Sequence, residues 1–289
     1  PINNSLIVAG SETSATLLSG CIFYLCTAPH VMSRLGAEIR YNFKQDSDMT
    51  FRAVEELKYM NAVIEESLRI YPPFVTSLSR LVPQGGAAVD GHFLPEDVSN
   101  VFHLGMSHLN LCTNPNKTAV ACHHYASYHS ESNFAFPDKF MPERWLDSDP
   151  VFENDKKDAL QPFSLGPRVC LGKQCVPCPF PLYLHCTFSM NIDILFLNSL
   201  ANCEIRLILC KLLYHFDITL RPESANWADQ KVYFLWDKPA LMVTLKDRFP
   251  EAGMSSSQDP MALFQNDEDG LGFEVRAWLA FAFKSYNGY

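Results

Sequence analysis

Between Phe163 and Gly172 the chain reads Phe-Ser-Leu-Gly-Pro-Arg-Val-Cys-Leu-Gly, and this segment restricts the fold more than any other. Gly166 and Gly172 let the backbone turn sharply and let a flat group approach it closely. Cys170 lies between them, just ahead of an apolar helix. There, backbone N–H groups and a helix N-terminus can hold its sulfur as a thiolate. Arg168 offers a fixed cation for an acidic substituent, and Phe163 can shield the sulfur from water. The competing reading is a buried structural cysteine, the usual fate of a lone one.

Composition sets the limits around this loop. With 47% hydrophobic and 19% charged residues, 289 residues suffice for a sizeable core. A net charge of -9 leaves no basic face for phosphates, which argues against nucleic acid as a partner. Ten irregularly spaced cysteines without a signal peptide fit reduced, mostly buried thiols better than a disulfide framework. The chain opens on Pro1 and is expected to begin inside something larger. The apolar stretch Pro179 to Leu200 carries Asp193 at its middle, which costs about 2.5–3.5 kcal/mol in a membrane. It is therefore not read as a span.

Periodicity predicts a long apolar helix from Asn4 to Thr27, interrupted by Gly10-Ser11-Glu12-Thr13-Ser14. Further helices are expected over Val31 to Phe43, Ala53 to Ile70 (stopped by Pro72-Pro73) and Cys203 to Phe216. Short strands are expected at Thr76 to Val82, Ala88 to Phe93 with a turn at Asp90-Gly91, Asp217 to Leu220, Val232 to Leu235 and Leu241 to Leu245. The last two are joined through Trp236-Asp237-Lys238-Pro239. Ser130 to Asp149 reads as irregular chain. The result is a mainly α fold with a minor β part.

The ten residues from Phe163 to Gly172 resemble the haem-binding loop of the cytochrome P-450 family at every fixed position. Two further segments share that resemblance. Glu66-Ser-Leu-Arg69 followed by Tyr71-Pro72-Pro73, with Pro142-Glu143-Arg144-Trp145, is similar to the family's structural triad, here Glu66, Arg69 and Arg144. Taken alone, Glu66 and Arg69 are an i, i+3 helix pair. Ala9-Gly10-Ser11-Glu12-Thr13 resembles the oxygen-activation stretch of the family's central helix. A carboxylate beside a hydroxyl in an apolar helix is costly unless partnered, which also points to function.

The resemblance covers Pro1 to about Arg248 and is closest to the fungal branch. It implies the C-terminal portion of the cytochrome P-450 fold, truncated at the N-terminus. It also implies a haem ligated through iron by Cys170, with Phe163, Gly166, Arg168 and Gly172 around it. Arg80 and His129 fall where the family places haem-propionate partners, and Glu12 and Thr13 would deliver protons to bound dioxygen. The activity implied is oxidation of a small organic substrate, of fungal secondary-metabolite type, with electrons from an NADPH-cytochrome P-450 reductase. The full-length family sits on the cytosolic face of the endoplasmic reticulum membrane. This chain has no membrane anchor in its sequence and is expected to be cytosolic and, truncated as it is, inactive.

Residues 1–248 are thus read as part of one haem-thiolate domain, and 249–289 as a poorly ordered extra tail. Two stretches, 98–117 and 174–199, have no counterpart in the family. Both can be translated introns, because each can be bounded by splice-type codons and each leaves the reading frame intact when removed. The second is expected to detach the following helix from the cysteine loop. It also holds Cys175-Val-Pro-Cys178 and His185-Cys186, spaced as in a small zinc site. Two other readings therefore stand beside the enzyme: a non-catalytic relic and a zinc-stapled interaction module.

Overall fold

A helix apolar on nearly every side has to be central, and α1 (Ile2–Thr27) is. Leu17, Leu18, Cys21, Ile22 and Leu25 are buried along it. The computed structural model describes residues 2–76, 79–89, 91–96, 101–103, 119–147, 149–173, 200–233, 235–249 and 271–274, with side chains from residue 9 onward in α1. Around α1 pack α2 (Pro29–Asn42), α4 (Lys58–Ile70) and α6 (Leu200–His215), while α3 (Phe51–Glu55) packs on α6 and α5 (His124–Tyr128) on α4. One core cluster runs through these helices, built on residues such as Leu35, Val63, Leu209 and Leu213. A smaller one holds Tyr128, Phe134 and Leu160.

The helix expected over Ala53 to Ile70 is two helices, broken at Glu56-Leu57. The cause lies outside the segment. Glu38 of α2 accepts the N–H groups of Tyr59 and Met60 at 2.8 and 2.9 Å. It thereby caps an α4 N-terminus whose own N-cap, Leu57, has no side-chain acceptor. Thr50 caps α3 through Ala53 N–H. At its far end α4 stops at Tyr71, whose ring lies so close to Gly20 of α1 that a Cβ there would meet it at 2.3 Å. Only glycine fits that position.

Among the described residues the β part is four small sheets. Strand β1 (Arg80–Leu81) pairs antiparallel with β5 (Ala119–Ala121), which pairs in parallel with β4 (Val101–His103). Strands β2 (Ala87–Val89) and β3 (His92–Leu94) form a hairpin that turns through Gly91 at φ 75°. Strand β9 (Met242–Asp247) lies between β6 (Phe216–Leu220) and β10 (Leu271–Glu274), so residues 271–274 extend this sheet beyond residue 248. Trp236-Asp237, expected as a connection, is itself strand β8 and pairs with β7 (Lys231–Val232). The indole of Trp236 stacks on Tyr71 at 4.5 Å, and its N–H donates to Pro72 O; that anchorage makes the turn a strand.

Apart from Val101–His103, the stretches 98–117 and 174–199 lie outside the described residues, as do Cys175, Cys178, His185, Cys186 and the segment from Pro179. Among the described residues no single helix is long and apolar enough to cross a membrane.

Candidate functional site

The cysteine loop closes on itself. The N–H of Cys170 donates to Phe163 O at 2.8 Å, that of Val169 to Gly166 O at 3.0 Å, and that of Lys173 to Cys170 O at 3.1 Å. Ser164 at φ 62° and Gly166 at φ 73° make the turns, the first at a cost for a residue with a Cβ. The Cys170 side chain is exposed, and so are Leu165 at 62% and Leu171 at 78%. The first turn of α6 lies against the loop. A Cβ on Gly172 would stand 3.6 Å from Ala201 Cβ and 3.7 Å from Cys170 Sγ. The expected detachment of this helix is therefore corrected: packing of Ile205, Leu209 and Leu213 in the main core keeps α6 in place.

Chemistry separates the cysteines. Burial pushes the thiols of Cys21, Cys26 and Cys210 up to about 12, so they carry no thiolate near neutral pH. Cys170 and Cys122 are the exposed ones among the described residues, and of these only Cys170 lies in a glycine-bounded loop facing a helix N-terminus.

Arg80 reaches this loop, donating to Ser164 Oγ at 3.2 Å. It also lines a cavity of about 620 Å³ together with Cys122, His124, Gln161, Ser164 and Leu165. Cys170 and Arg168 are not in that lining; Arg168 is exposed on the loop itself. His129 lies at the end of α5, its Nδ1 3.0 Å from Tyr125 O and its ring stacked on Tyr125 at 3.9 Å. Burial, with the Arg69 charge adding to it, lowers its pKa against the opposing pull of the Tyr125 carbonyl.

Glu66, Arg69 and Arg144 come together as one wholly buried cluster. Glu66 Oε1 accepts from Arg69 NH2 at 2.8 Å and from Met141 N–H at 2.9 Å. Its Oε2 accepts from Arg69 Nε and from Trp145 Nε1, both at 2.9 Å. Arg144 Nε is also 2.9 Å from Oε2, an ion pair whose angle falls outside hydrogen-bond geometry. Asp155 completes the charge balance by pairing with Arg144 NH1. Arg69 NH1 donates to Tyr128 O and Pro137 O, which fastens the irregular segment after α5 onto α4.

Glu12 and Thr13 sit apart from the loop residues in sequence, on α1. Thr13 Oγ1 donates to Ala9 O at 2.7 Å, while Glu12 Oε1 accepts from Lys238 Nζ at 2.5 Å. Lys238, Asp155 and the Ser164 bridge were not visible as site residues in the sequence. Lys238 and Ser164 act on partners far away along the chain, Asp155 on Arg144 eleven residues before it, and no local motif marks any of them.

The sequence profile of the family described as Cytochrome P450 matches residues 4–113 and 109–176. The chain belongs to the cytochrome P450 family. It is 42% identical over 251 residues to the "Cytochrome P450 monooxygenase astA" of Talaromyces wortmannii, which covers 87% of this chain and 41% of that protein. It is 37% identical to the "Trichothecene C-4 hydroxylase" of Trichoderma arundinaceum (85% and 42% covered). It is 36% identical to the "Fusicoccadiene 8-ol C-16-hydroxylase" of Phomopsis amygdali (84% and 38% covered). This P450 chain thus spans about two fifths of the length of the curated relatives it matches.

The family implies haem in general, and the loop fits it. An exposed thiol is held by a backbone turn, with exposed Leu165 and Leu171 on the same loop and Gly172 beside the sulfur. A flat apolar group with a soft metal needs that donor and that apolar surround.

Proposed function

We propose that Cys170 provides the thiolate ligand of a haem, and that the whole protein inserts one oxygen atom from dioxygen into a small organic secondary metabolite. The observation that carries this reading is the exposed Cys170 in a self-closed, glycine-bounded loop against the first turn of α6. When bound, the haem supplies the oxidising chemistry, and thiolate ligation favours O–O cleavage.

The chain's residues hold and serve that group. Phe163 limits water at the sulfur. Gly166 and Gly172 leave room for the ring, and Arg168, Arg80 and His129 provide polar partners for its acidic substituents. Arg80 is already oriented toward the loop by Ser164. Glu12 and Thr13 handle protons on α1. Electrons come from an NADPH-cytochrome P-450 reductase, at the cytosolic face of the endoplasmic reticulum membrane.

This activity is assigned to the whole protein and not to this span alone. Leu165, Leu171 and Cys170 stay exposed in it, and apolar surface beside a cofactor requires a cover. The secondary-metabolite assignment rests on the two hydroxylases named above. The test is co-expression of the whole gene product with a fungal reductase, followed by mass analysis of metabolite extracts. A product one oxygen atom heavier, labelled by isotopic dioxygen and lost without the reductase, is expected. A label arriving from water instead would overturn the reading.

A further inference from the structure

The carboxylate of Glu12 has a built-in cation. Lys238 Nζ lies 2.5 Å from Glu12 Oε1 and 2.6 Å from Thr16 Oγ1, and the lysine side chain is only 3% exposed. Thr16 Oγ1 in turn donates to Glu12 O at 2.7 Å. The ammonium is thus enclosed by one turn of α1, with its charge met by Glu12.

The turn that carries Lys238 is clamped on both sides. Before it, Trp236 donates its indole N–H to Pro72 O at 2.8 Å and stacks on Tyr71. After it, Pro239 O accepts the indole N–H of Trp227 at 2.9 Å. Lys238 therefore approaches α1 from a backbone whose position is fixed by the end of α4. A buried ammonium held in this way favours the ionised form of the carboxylate beside it and sets the direction in which that carboxylate points. The neighbouring Thr13 hydroxyl is turned away, onto Ala9 O.

We infer that Lys238 is a positioning residue for proton handling, which favours the ionised form of Glu12 and aims it at the Lys238 ammonium and away from Thr13. The inference rests on the monooxygenase reading for its catalytic meaning, and on the geometry alone for the pairing. Lys238 itself touches no reacting atom; it acts through Glu12.

The test uses the whole gene product and four variants: Lys238→Met, Lys238→Arg, Glu12→Gln and the double variant Lys238→Met/Glu12→Gln. Lys238→Gln, which keeps a hydrogen-bond donor, replaces Lys238→Met if the latter does not fold. The infrared stretch of the protonated Glu12 carboxyl, followed through a pH titration, is expected to appear at a higher pH in Lys238→Met than in the parent, and to be missing from the double variant. Product formed per NADPH consumed is expected to fall several-fold in Lys238→Met and to stay close to the parent in Lys238→Arg. The double variant is expected to fall no further than Glu12→Gln. A band that appears at the same pH in Lys238→Met and the parent, or losses that multiply independently in the double variant, would overturn the inference. A parent protein that oxygenates nothing would overturn the monooxygenase reading instead, and the infrared band would still decide whether Lys238 governs Glu12.

Discussion

Arg144 Nε stands 2.9 Å from Glu66 Oε2, with both side chains completely out of water. Each charge there is tolerated because another offsets it: two guanidinium groups, Arg69 and Arg144, face two carboxylates, Glu66 and Asp155. Removing one partner strands the others. Arg144→Met is expected to destabilise the fold by about 3–5 kcal/mol, the typical cost of breaking a buried pair. Urea denaturation measures this. A loss below about 1 kcal/mol would mean that the cluster is not needed for folding.

The start of α4 gives a second, smaller test. Glu38 is the acceptor for the N–H groups of Tyr59 and Met60. Glu38→Ala is expected to cost about 1–2 kcal/mol, as for a lost N-cap, while Glu38→Gln, which keeps an acceptor oxygen, costs less. Equal losses in the two variants would point to packing and away from capping.

These two cases show what the sequence could and could not reveal. The cysteine loop was legible because everything that defines it lies within ten consecutive residues, from Phe163 to Gly172. The helices α1, α2 and α6 were legible from apolar periodicity, and the Asp90-Gly91 turn from its residue types. The break between α3 and α4 was hidden because its cause, Glu38, is on another helix. Strand β8 was hidden because Trp236 takes its conformation from Tyr71 and Pro72. Among charged partners, Glu66 and Arg69 are neighbours on one helical face and could be paired by spacing. Asp155 could not, because irregular chain with no fixed spacing separates it from Arg144, and Lys238 could not, because Glu12 is 226 residues away.

Acid is expected to weaken the fold through the buried His124 and the half-buried His129. Burial lowers the pKa of His124 below its ordinary 6.5, and His129 is lowered likewise. In both, the folded state binds its proton less readily than the unfolded chain does. Their contribution is complete above 6.5 and is lost as pH falls from there through the lowered folded values. The melting temperature is expected to drop between about pH 7 and about pH 5, the range in which histidine titrates. The drop should be smaller in His124→Gln. A variant with an unchanged pH profile would remove His124 from this account.

We propose that residues 98–117 and 174–199 are translated introns. The family match is divided within the first stretch and ends two residues after Gln174. Joining Asp97 to Thr118 restores a continuous strand connection, and closing the second gap, which starts within the codon of Gln174, leaves a single histidine between Lys173 and Leu200. Sequencing of mature transcripts decides the matter: a spliced message lacking both stretches is expected, and its product should bind haem better than the chain that retains them. Retention of both stretches in every message would end the proposal.

Ligation of iron by Cys170 is the central claim, and the absorption spectrum of the reduced, carbon-monoxide-bound protein tests it most directly. The whole gene product is expected to show the strongly red-shifted Soret band of a thiolate-ligated haem. Cys170→Ala should lose this band, while Cys175→Ala and Cys178→Ala keep it. Persistence of the band in Cys170→Ala, or its loss in either of the other two variants alone, would contradict the account.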